Sequence, residues 1–461
     1  MRPIAFRSSL RNSLTSIAVA SAFSALPQLA SASGFALIEQ SGSGMGNAYA
    51  GSAAAAEDAS TVYFNPAGMG LLPAGRHLAI AAHYIIPKAQ FQNNASISAT
   101  LFGAPAPTGN GGDAGVPALV PNGYFTMNLS DKMRFGVGVN VPFGLSTEYE
   151  SEWIGRFQGI KSEVMTLNIN PAISFKASDT VSLGFGLNYQ SIKAEFTSKS
   201  NYAAAVFIAA GAGPAAAVAA AGQAEGLTTL KGDDTGWGWN AGLMFTPSPK
   251  TRIGVAYRSR IKYSVEGTVK FDNRPALLAA AAPDGNIKLD VTMPDNLSFA
   301  LSQALDDRWT VLADATWTGW KVLQKFEVTR TNNIPAGGAT LQNIPYNWRN
   351  TWRVGVGANY KLNEAWMLKG GIAYDQTPTI DADRGVRLPD GNRTWLSVGA
   401  KYQMSRAGTL DFGYTHIMVK DPSINSNAGG NLTNSTAAYA LVNGKYDASV
   451  DILSVQYNHR F

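Results

Sequence analysis

The sequence predicts an all-β fold, a transmembrane antiparallel β-barrel of about fourteen strands. Three observations predict it. Charged residues make up 15 % of the 461, against about a quarter in an ordinary soluble chain, whereas glycine and aromatic residues are plentiful. Behind the amino-terminal thirty or so residues no long apolar run suits a spanning helix, apart from an alanine-rich stretch within 200–236. Finally, bulk alternates with small or polar residues along whole segments. Val181, Leu183, Phe185, Leu187 and Tyr189 share one face, with Ser182, Gly184, Gly186 and Asn188 between them. Trp352 to Tyr360 and Leu453 to Phe461 repeat the scheme, His459 interrupting the last apolar face near its end. One face then meets lipid and the other a polar or packed interior. A soluble sandwich also alternates, but its strands average about 5–6 residues, and these apolar faces run to about ten, the length a tilted strand needs to cross a bilayer.

The elements follow in order. Arg2, Arg7 and Arg11, the apolar stretch 14–29 and the small-x-small site Ala30-Ser31-Ala32 read as an export signal over residues 1–32, with Ser33 opening the mature chain. Without those three arginines the formal charge falls from +5 to +2, which excludes nucleic acid as an expected partner. Cysteine is absent, so disulfides, thiolate metal sites and thiol nucleophiles are excluded together. Residues 33–72 are rich in glycine and alanine, sustain no period of 2 or 3.6, and close on Asn65-Pro66-Ala67-Gly68. Such a segment cannot be barrel wall; it needs a cavity to sit in.

Strands are expected near 75–92, 118–129, 133–149, 163–176, 180–198, 236–246, 250–271, 288–304, 308–328, 348–361, 365–377, 393–404, 408–420 and 447–461. Short turns such as 130–132 and 177–179 alternate with long connectors, as they do when one barrel end faces the periplasm and the other the outside. The even count puts both termini on the periplasmic side. Phe461 supplies the aromatic end expected of a chain handled by the barrel assembly machinery, and closure removes every unpaired edge from lipid.

Two features interrupt this regularity. Inside the third strand, Val141-Pro142-Phe143-Gly144 combines a residue with no N–H and one that permits a bend, so ladder pairing should fail there. That is either a bulge shaping the barrel or an opening in its wall. The connector 200–236 holds an uncharged alanine-rich run split by Gly211, Gly213 and Pro214, read as two short helices in an external loop. With the apolar part of the loop 272–288 it makes an exposed apolar patch, the usual mark of a binding surface. Chemistry is sparse: the histidines are His77, His83, His416 and His459, with no nucleophile elbow and no metal-ligand spacing. No enzymatic activity, cofactor or metal is expected.

The segment GFALIEQSGSGMGNAYAG with NPAG, then VPFGLSTEY (141–149), LNINPAISFK (167–176), WGWNAGLMF (237–245), YRSRIKYSVEG (257–267), GIAYDQTP (371–378) and RLPDGNRTWLSVG (387–399), in this order, resembles the outer-membrane long-chain fatty acid transporters, including relatives that take up aromatic hydrocarbons. The likeness covers essentially the whole mature chain. It implies a monomer in the outer membrane of a Gram-negative bacterium, surrounded by outer-membrane lipids and lipopolysaccharide. It implies a hatch over residues 33–72 inside a barrel over 73–461. Phe35 would touch the ligand, and Asn65, Pro66 and Ala67 would fix the hatch to the wall. A sideways exit through Val141, Pro142, Phe143 and Gly144 would follow, which suits a hydrophobic cargo that gains nothing from the aqueous periplasm. Two basic positions of fatty acid transporting members are occupied here by Phe196 and Glu327. Candidate carboxylate partners are therefore Lys193, Lys199, Lys325, Arg330, Arg384 and Arg393, set against a neutral aromatic or aliphatic hydrocarbon as the cargo. A water-filled porin, with a ring of lumenal charges, and an outer-membrane lipase are the readings from other classes.

Overall fold

The computed structural model describes residues 34–99, 106–210, 213–221, 225–280, 282–331, 340–426 and 440–461; the expected export signal lies outside them. Antiparallel pairing closes a ring of fourteen wall strands. In order these are β1 (Arg76–Asn93), β2 (Ala118–Asn128), β3 (Met133–Asn140) continued as β4 (Gly144–Glu148), β5 (Lys161–Lys176), β6 (Val181–Asn201), β7 (Glu225–Ser248), β8 (Thr251–Arg258) continued as β9 (Ile261–Phe271), and β10 (Gly285–Met293) continued as β11 (Asn296–Ala304). The second half comprises β12 (Trp309–Thr318) with β13 (Lys325–Arg330), β14 (Thr340–Pro345) with β15 (Thr351–Lys361), β16 (Trp366–Asp375), β17 (Arg393–Gln403), β18 (Gly408–Val419) with β19 (Ser423–Ser426), and β20 (Val442–Arg460). The ring shuts where β20 pairs with β1, from His77 opposite Arg460 to Asn93 opposite Gly444.

Alternation decides which side each residue faces. Leu183, Phe185, Leu187 and Tyr189 are exposed on the outside of β6, while Ser182, Asn188 and Gln190 are buried within. Aromatic side chains gather in two outward belts. Trp309 and Tyr360 lie 4.6 Å apart, as do Trp366 and Tyr402, at the periplasmic end. Tyr189 and Trp237 at 4.9 Å, Trp239 and Tyr257 at 5.1 Å, and Trp352 mark the outer end. Trp352 and Tyr360 are eight residues apart on β15; at about 3.3 Å per residue and a tilt near 40° the belts stand about 20 Å apart, close to the apolar band of outer-membrane barrels.

Several walls expected to be continuous are broken at the outer belt. Pro294 cannot donate between β10 and β11, and Asp295 beside it ties the breaks together. Its carbonyl accepts from Gly319 N at 2.9 Å, its carboxylate accepts from the Tyr257 hydroxyl at 3.0 Å, and Arg260 Nε lies 2.9 Å away. Beyond the belt β6 and β7 run on together to Asn201 opposite Glu225, further than their apolar stretches suggested. Two helices, α4 (Tyr202–Ala210) and α5 (Pro214–Ala221), follow β6 and flank Gly213. They pack on Leu278 of the next long loop, and the Tyr202 hydroxyl donates to Asp272 O at 2.6 Å.

Residues 34–72 pass through the lumen as short turns: α1 (Gly42–Met45), α2 (Ser52–Ala55), α3 (Thr61–Phe64) and a 3-10 turn (Pro66–Leu71). The side chain of Asn65 caps that turn by accepting from Ala67 N at 3.1 Å, while its Nδ2 donates to Leu243 O of β7 at 3.1 Å. Close approach is possible because the wall is bare there. A Cβ on Gly184 would collide with Ala67, and one on Gly242 with Asn65. On the opposite wall Glu57 accepts from Lys369 at 2.8 Å and Lys401 at 2.7 Å, and Lys369 also lies 3.4 Å from Asp411. Breaking a buried pair of this kind costs several kcal/mol because a charge is left behind.

This packing makes a definite expectation. Gly184→Leu should push Asn65, Pro66 and Ala67 off the wall while sparing the outward face of β6. The barrel should keep its heat-modifiable gel migration, and conductance across a planar bilayer should rise from near zero.

Candidate functional site

The third strand is left without a full ladder on its β2 side. β2 pairs with β3 only from Gly123 opposite Val139 to Asn128 opposite Arg134, and β4 forms a ladder with β5 while touching the chain before β2 only at its far end, where Thr147 bridges Gly115. Between Asn140 and Gly144 the third strand leaves the ladder, where Pro142 has no N–H to offer. The amino-terminal arm supplies the missing partner from within. Leu37 N donates to Pro142 O at 2.8 Å, Gly144 N donates to Phe35 O at 2.8 Å, and Ala36 pairs with Phe143 as an antiparallel bridge. Gln40 Nε2 adds a bond to Val141 O at 2.8 Å. Phe35, Val141, Pro142, Phe143 and Gly144 are thereby one structural unit, half arm and half wall.

Above it lies an aromatic box. The Phe35 ring sits 5.2 Å from Trp320, 5.9 Å from Phe143 and 5.8 Å from Trp348. Edge and tilted contacts at these separations each add about 0.5–1.5 kcal/mol beyond burial. Gly34 turns the chain into the box with φ +61, where a side chain would also strike Trp320. Its N–H is held by Asp390 Oδ2 at 2.9 Å.

From the box a file of rings continues outward: Trp348 to Tyr346 at 5.4 Å, Tyr346 to Phe326 at 6.4 Å, Phe326 to Phe196 at 5.1 Å. It ends on a cation, the Arg387 guanidinium 5.4 Å from the Phe196 ring. Arg387 is buried, its Nη1 donates to the carbonyls of Lys161 and Thr197 at 3.2 Å each, and its Nε has no partner. Among the described residues it makes no ion pair. Burial pulls this guanidinium down from the usual arginine range to about 10. A buried cation without an anion is costly, and a carboxylate arriving beside it would supply the missing charge. Arg387 stands inside the RLPDG stretch, yet spacing alone does not single it out from Arg384 and Arg393.

Strand register disposes of the other candidate cations. Inward positions of β6 are even, so Phe196 faces the lumen while Lys193 is exposed on the outside and Lys199 pairs with Glu152 at 3.1 Å. Lys325 points outward and pairs with Glu327. Arg330 turns inward, donates to Pro283 O at 2.7 Å and stands 5.7 Å from the Phe271 ring. Arg384 is spent on Asp390 O at 2.9 Å and Asp381 at 2.7 Å, and Arg393 on the Asp390 carboxylate at 3.0 Å. These last two hold the loop that holds Gly34.

Two cavities border the file. One of about 30 Å³ lies among Gln158, Ile344, Tyr346, Trp348, Arg387 and Leu388. The other, about 120 Å³, lies below the box beside Ile38, Pro142, Arg258 and Arg353. Both are smaller than the roughly 300–1,000 Å³ of ligand pockets, so the file is filled by its own rings in this structure.

A closed barrel with belts at lipid depth, a filled lumen and an apolar file against a wall break define an outer-membrane transporter class rather than an open pore. A model of the outer membrane protein transport protein family (OMPP1/FadL/TodX) matches residues 23–461. The chain is 31% identical over 405 residues to outer membrane protein P1 of Haemophilus influenzae, covering 82% of this chain and 84% of that one. It is 27% identical over 407 residues to the long-chain fatty acid transport protein of Escherichia coli K12, with 84% and 87% covered. Its fold is similar to that of a Pseudomonas aeruginosa FadL homologue, with a TM-score of 0.80 at 24% identity over 93% of this chain and 100% of the other. The Pseudomonas putida toluene transporter TodX aligns with a TM-score of 0.63 at 17% identity, over 87% and 94%. The chain belongs to the OMPP1/FadL/TodX family of outer-membrane transport proteins.

The arm-to-wall bridge can be locked. Ala36 and Phe143 form a non-hydrogen-bonded antiparallel pair, whose Cα separation of about 4.5 Å suits a disulfide. In this cysteine-free chain, Ala36→Cys with Phe143→Cys should abolish uptake of a hydrophobic cargo when oxidised and restore it on reduction, measured in whole cells with a radiolabelled substrate.

Proposed function

We propose that this protein carries long-chain fatty acids across the outer membrane and releases them sideways into the bilayer. The observation that carries the reading is the run of rings from Phe35 to a buried, unpaired Arg387. An acyl chain replaces ring contacts along that file, and its carboxylate meets the guanidinium. Capture begins outside the mouth on the exposed apolar side of this loop pair, Ala215, Ala216, Ala219, Leu277 and Ala280, held up by the buried packing of α4 and α5 on Leu278. Displacing Phe35 pulls on Leu37 and Gly144, the groups that seal the third-strand break, so occupancy and opening are linked through one stretch of backbone. Residues 34–72 act as the hatch: the arm moves, while Asn65 and Glu57 keep the remainder seated. Lateral exit leaves the cargo in the membrane, its better solvent, and needs no energy source beyond its concentration gradient. No catalysis takes part. Phe461, at the end of β20, is the insertion signal for a monomeric barrel.

A second reading, uptake of neutral aromatic or aliphatic hydrocarbons, is favoured by the aromatic box itself, whose four rings carry no charge and no polar atom beyond the two indole N–H groups of Trp320 and Trp348. One substitution separates the two. A hydrogen bond to a charged group contributes about 1.5–3 kcal/mol, so Arg387→Met should weaken oleate binding by about 10- to 100-fold and leave toluene or alkane binding unchanged, measured by calorimetry on detergent-solubilised protein. Equal oleate affinity in the two proteins would transfer the weight to the hydrocarbon reading. Growth of a deletion strain on oleate against toluene, with complementation, gives the same distinction in cells.

A further inference from the structure

We infer that the outward face of β6, β7 and β9, above the outer aromatic belt, docks the phosphorylated saccharide headgroup of lipopolysaccharide. The inference rests on the outer-membrane placement and not on which cargo passes through the lumen. The belt of Tyr189, Trp237, Trp239 and Tyr257 marks where hydrocarbon ends on this side. Past it, β6 and β7 stay paired from Ser191 opposite Thr235 to Asn201 opposite Glu225. Eleven residues at about 3.3 Å each, tilted near 40°, raise the wall by about 28 Å. A phospholipid headgroup layer is only about 5–8 Å deep. Whatever fills the leaflet beside so tall a wall has a tall headgroup, and a glycolipid has one.

The chemistry of the face fits that partner. Lys193 and Lys270 are exposed on it and Lys262 at its lower edge beside the belt, and among the described residues none makes an ion pair. Lys231, 58% exposed, shares Glu195 with Lys161 at 3.3 Å and 3.5 Å. Lys193 stands opposite Asp233, which stands opposite Glu266 in the register with β9. Two like charges placed directly opposite repel, and a divalent counter-ion of a phosphorylated headgroup would bridge them. Free ammonium groups of this kind attract anionic lipid headgroups near the surface.

The test uses the full-length protein, purified in detergent, and native mass spectrometry with bisphosphorylated rough lipopolysaccharide, its dephosphorylated form and phosphatidylglycerol as probes. The triple variant Lys193→Glu, Lys262→Glu, Lys270→Glu should hold lipopolysaccharide at least tenfold less well than the parent, and the parent should lose a similar factor when the probe is dephosphorylated. Oleate binding should be equal in both proteins, so this outcome is independent of the cargo reading, and retained heat-modifiable migration shows that the exposed substitutions leave the barrel folded. Equal retention of lipopolysaccharide by parent and variant overturns the inference, as does parent binding of phosphatidylglycerol as strong as that of lipopolysaccharide.

Discussion

Hydrocarbon offers no hydrogen bonds, and every other feature of this molecule answers to that fact. Fourteen strands close because an open edge would leave a row of amides unpaired in lipid. At Pro142 closure fails, since the residue has no N–H and the chain leaves its ladder for three residues. The freed groups are met from inside, Pro142 O by Leu37 and Gly144 by the Phe35 carbonyl. An arm that completes a wall cannot move without opening it. The same short stretch therefore seals the barrel and packs its Phe35 ring into the aromatic box above.

The lumen divides the labour between two kinds of contact. Below, glycines such as Gly184 and Gly242 let the backbone of the amino-terminal segment lie against the wall, and Glu57 between Lys369 and Lys401 anchors it with buried charge. Such contacts are short, directional and slow to break. Above, Phe35, Phe143, Trp320 and Trp348 meet through ring faces and edges, which exchange one apolar neighbour for another at little cost. Under the proposed function, movement is confined to the part of the segment that lines the aromatic box. The Asp390 loop, braced by Arg384 and Arg393, sets the resting position of that part through the Gly34 amide.

Outside the lumen the wall speaks to two media. Between the belts it is apolar and smooth, as hydrocarbon requires. Beyond the outer belt β6 and β7 continue with lysines and acids on the same outward face, and neighbouring strands are interrupted around Asp295 as they cross from one medium to the other. The interruptions fall at Pro294 and Gly319, so a change of solvent and a break in the strands occur at one level.

Period-two alternation made the barrel legible in the sequence, because lipid and lumen impose opposite demands on successive residues, as in Val181 to Tyr189. The break at Val141 to Gly144 was legible too, since proline announces a missing donor wherever it stands. The breaks at 259–260 and 319–324 were not, because they arise from the Asp295 contacts between distant strands. The site was less legible than the wall. Lys193, Lys199 and Lys325 carry the right charge, but a side chain on a strand serves one face only, and theirs is the outer one. Arg387, Arg384 and Arg393 look alike along the chain; Asp390 claims two of them and leaves the third against Phe196. The sequence by itself determined that this chain is an outer-membrane barrel with a lumenal segment and a weak third strand, since those follow from local periodicity and backbone chemistry. Only the tertiary structure decided which cation stands unpaired at the end of the rings, because pairing depends on neighbours that the chain brings together from hundreds of residues apart.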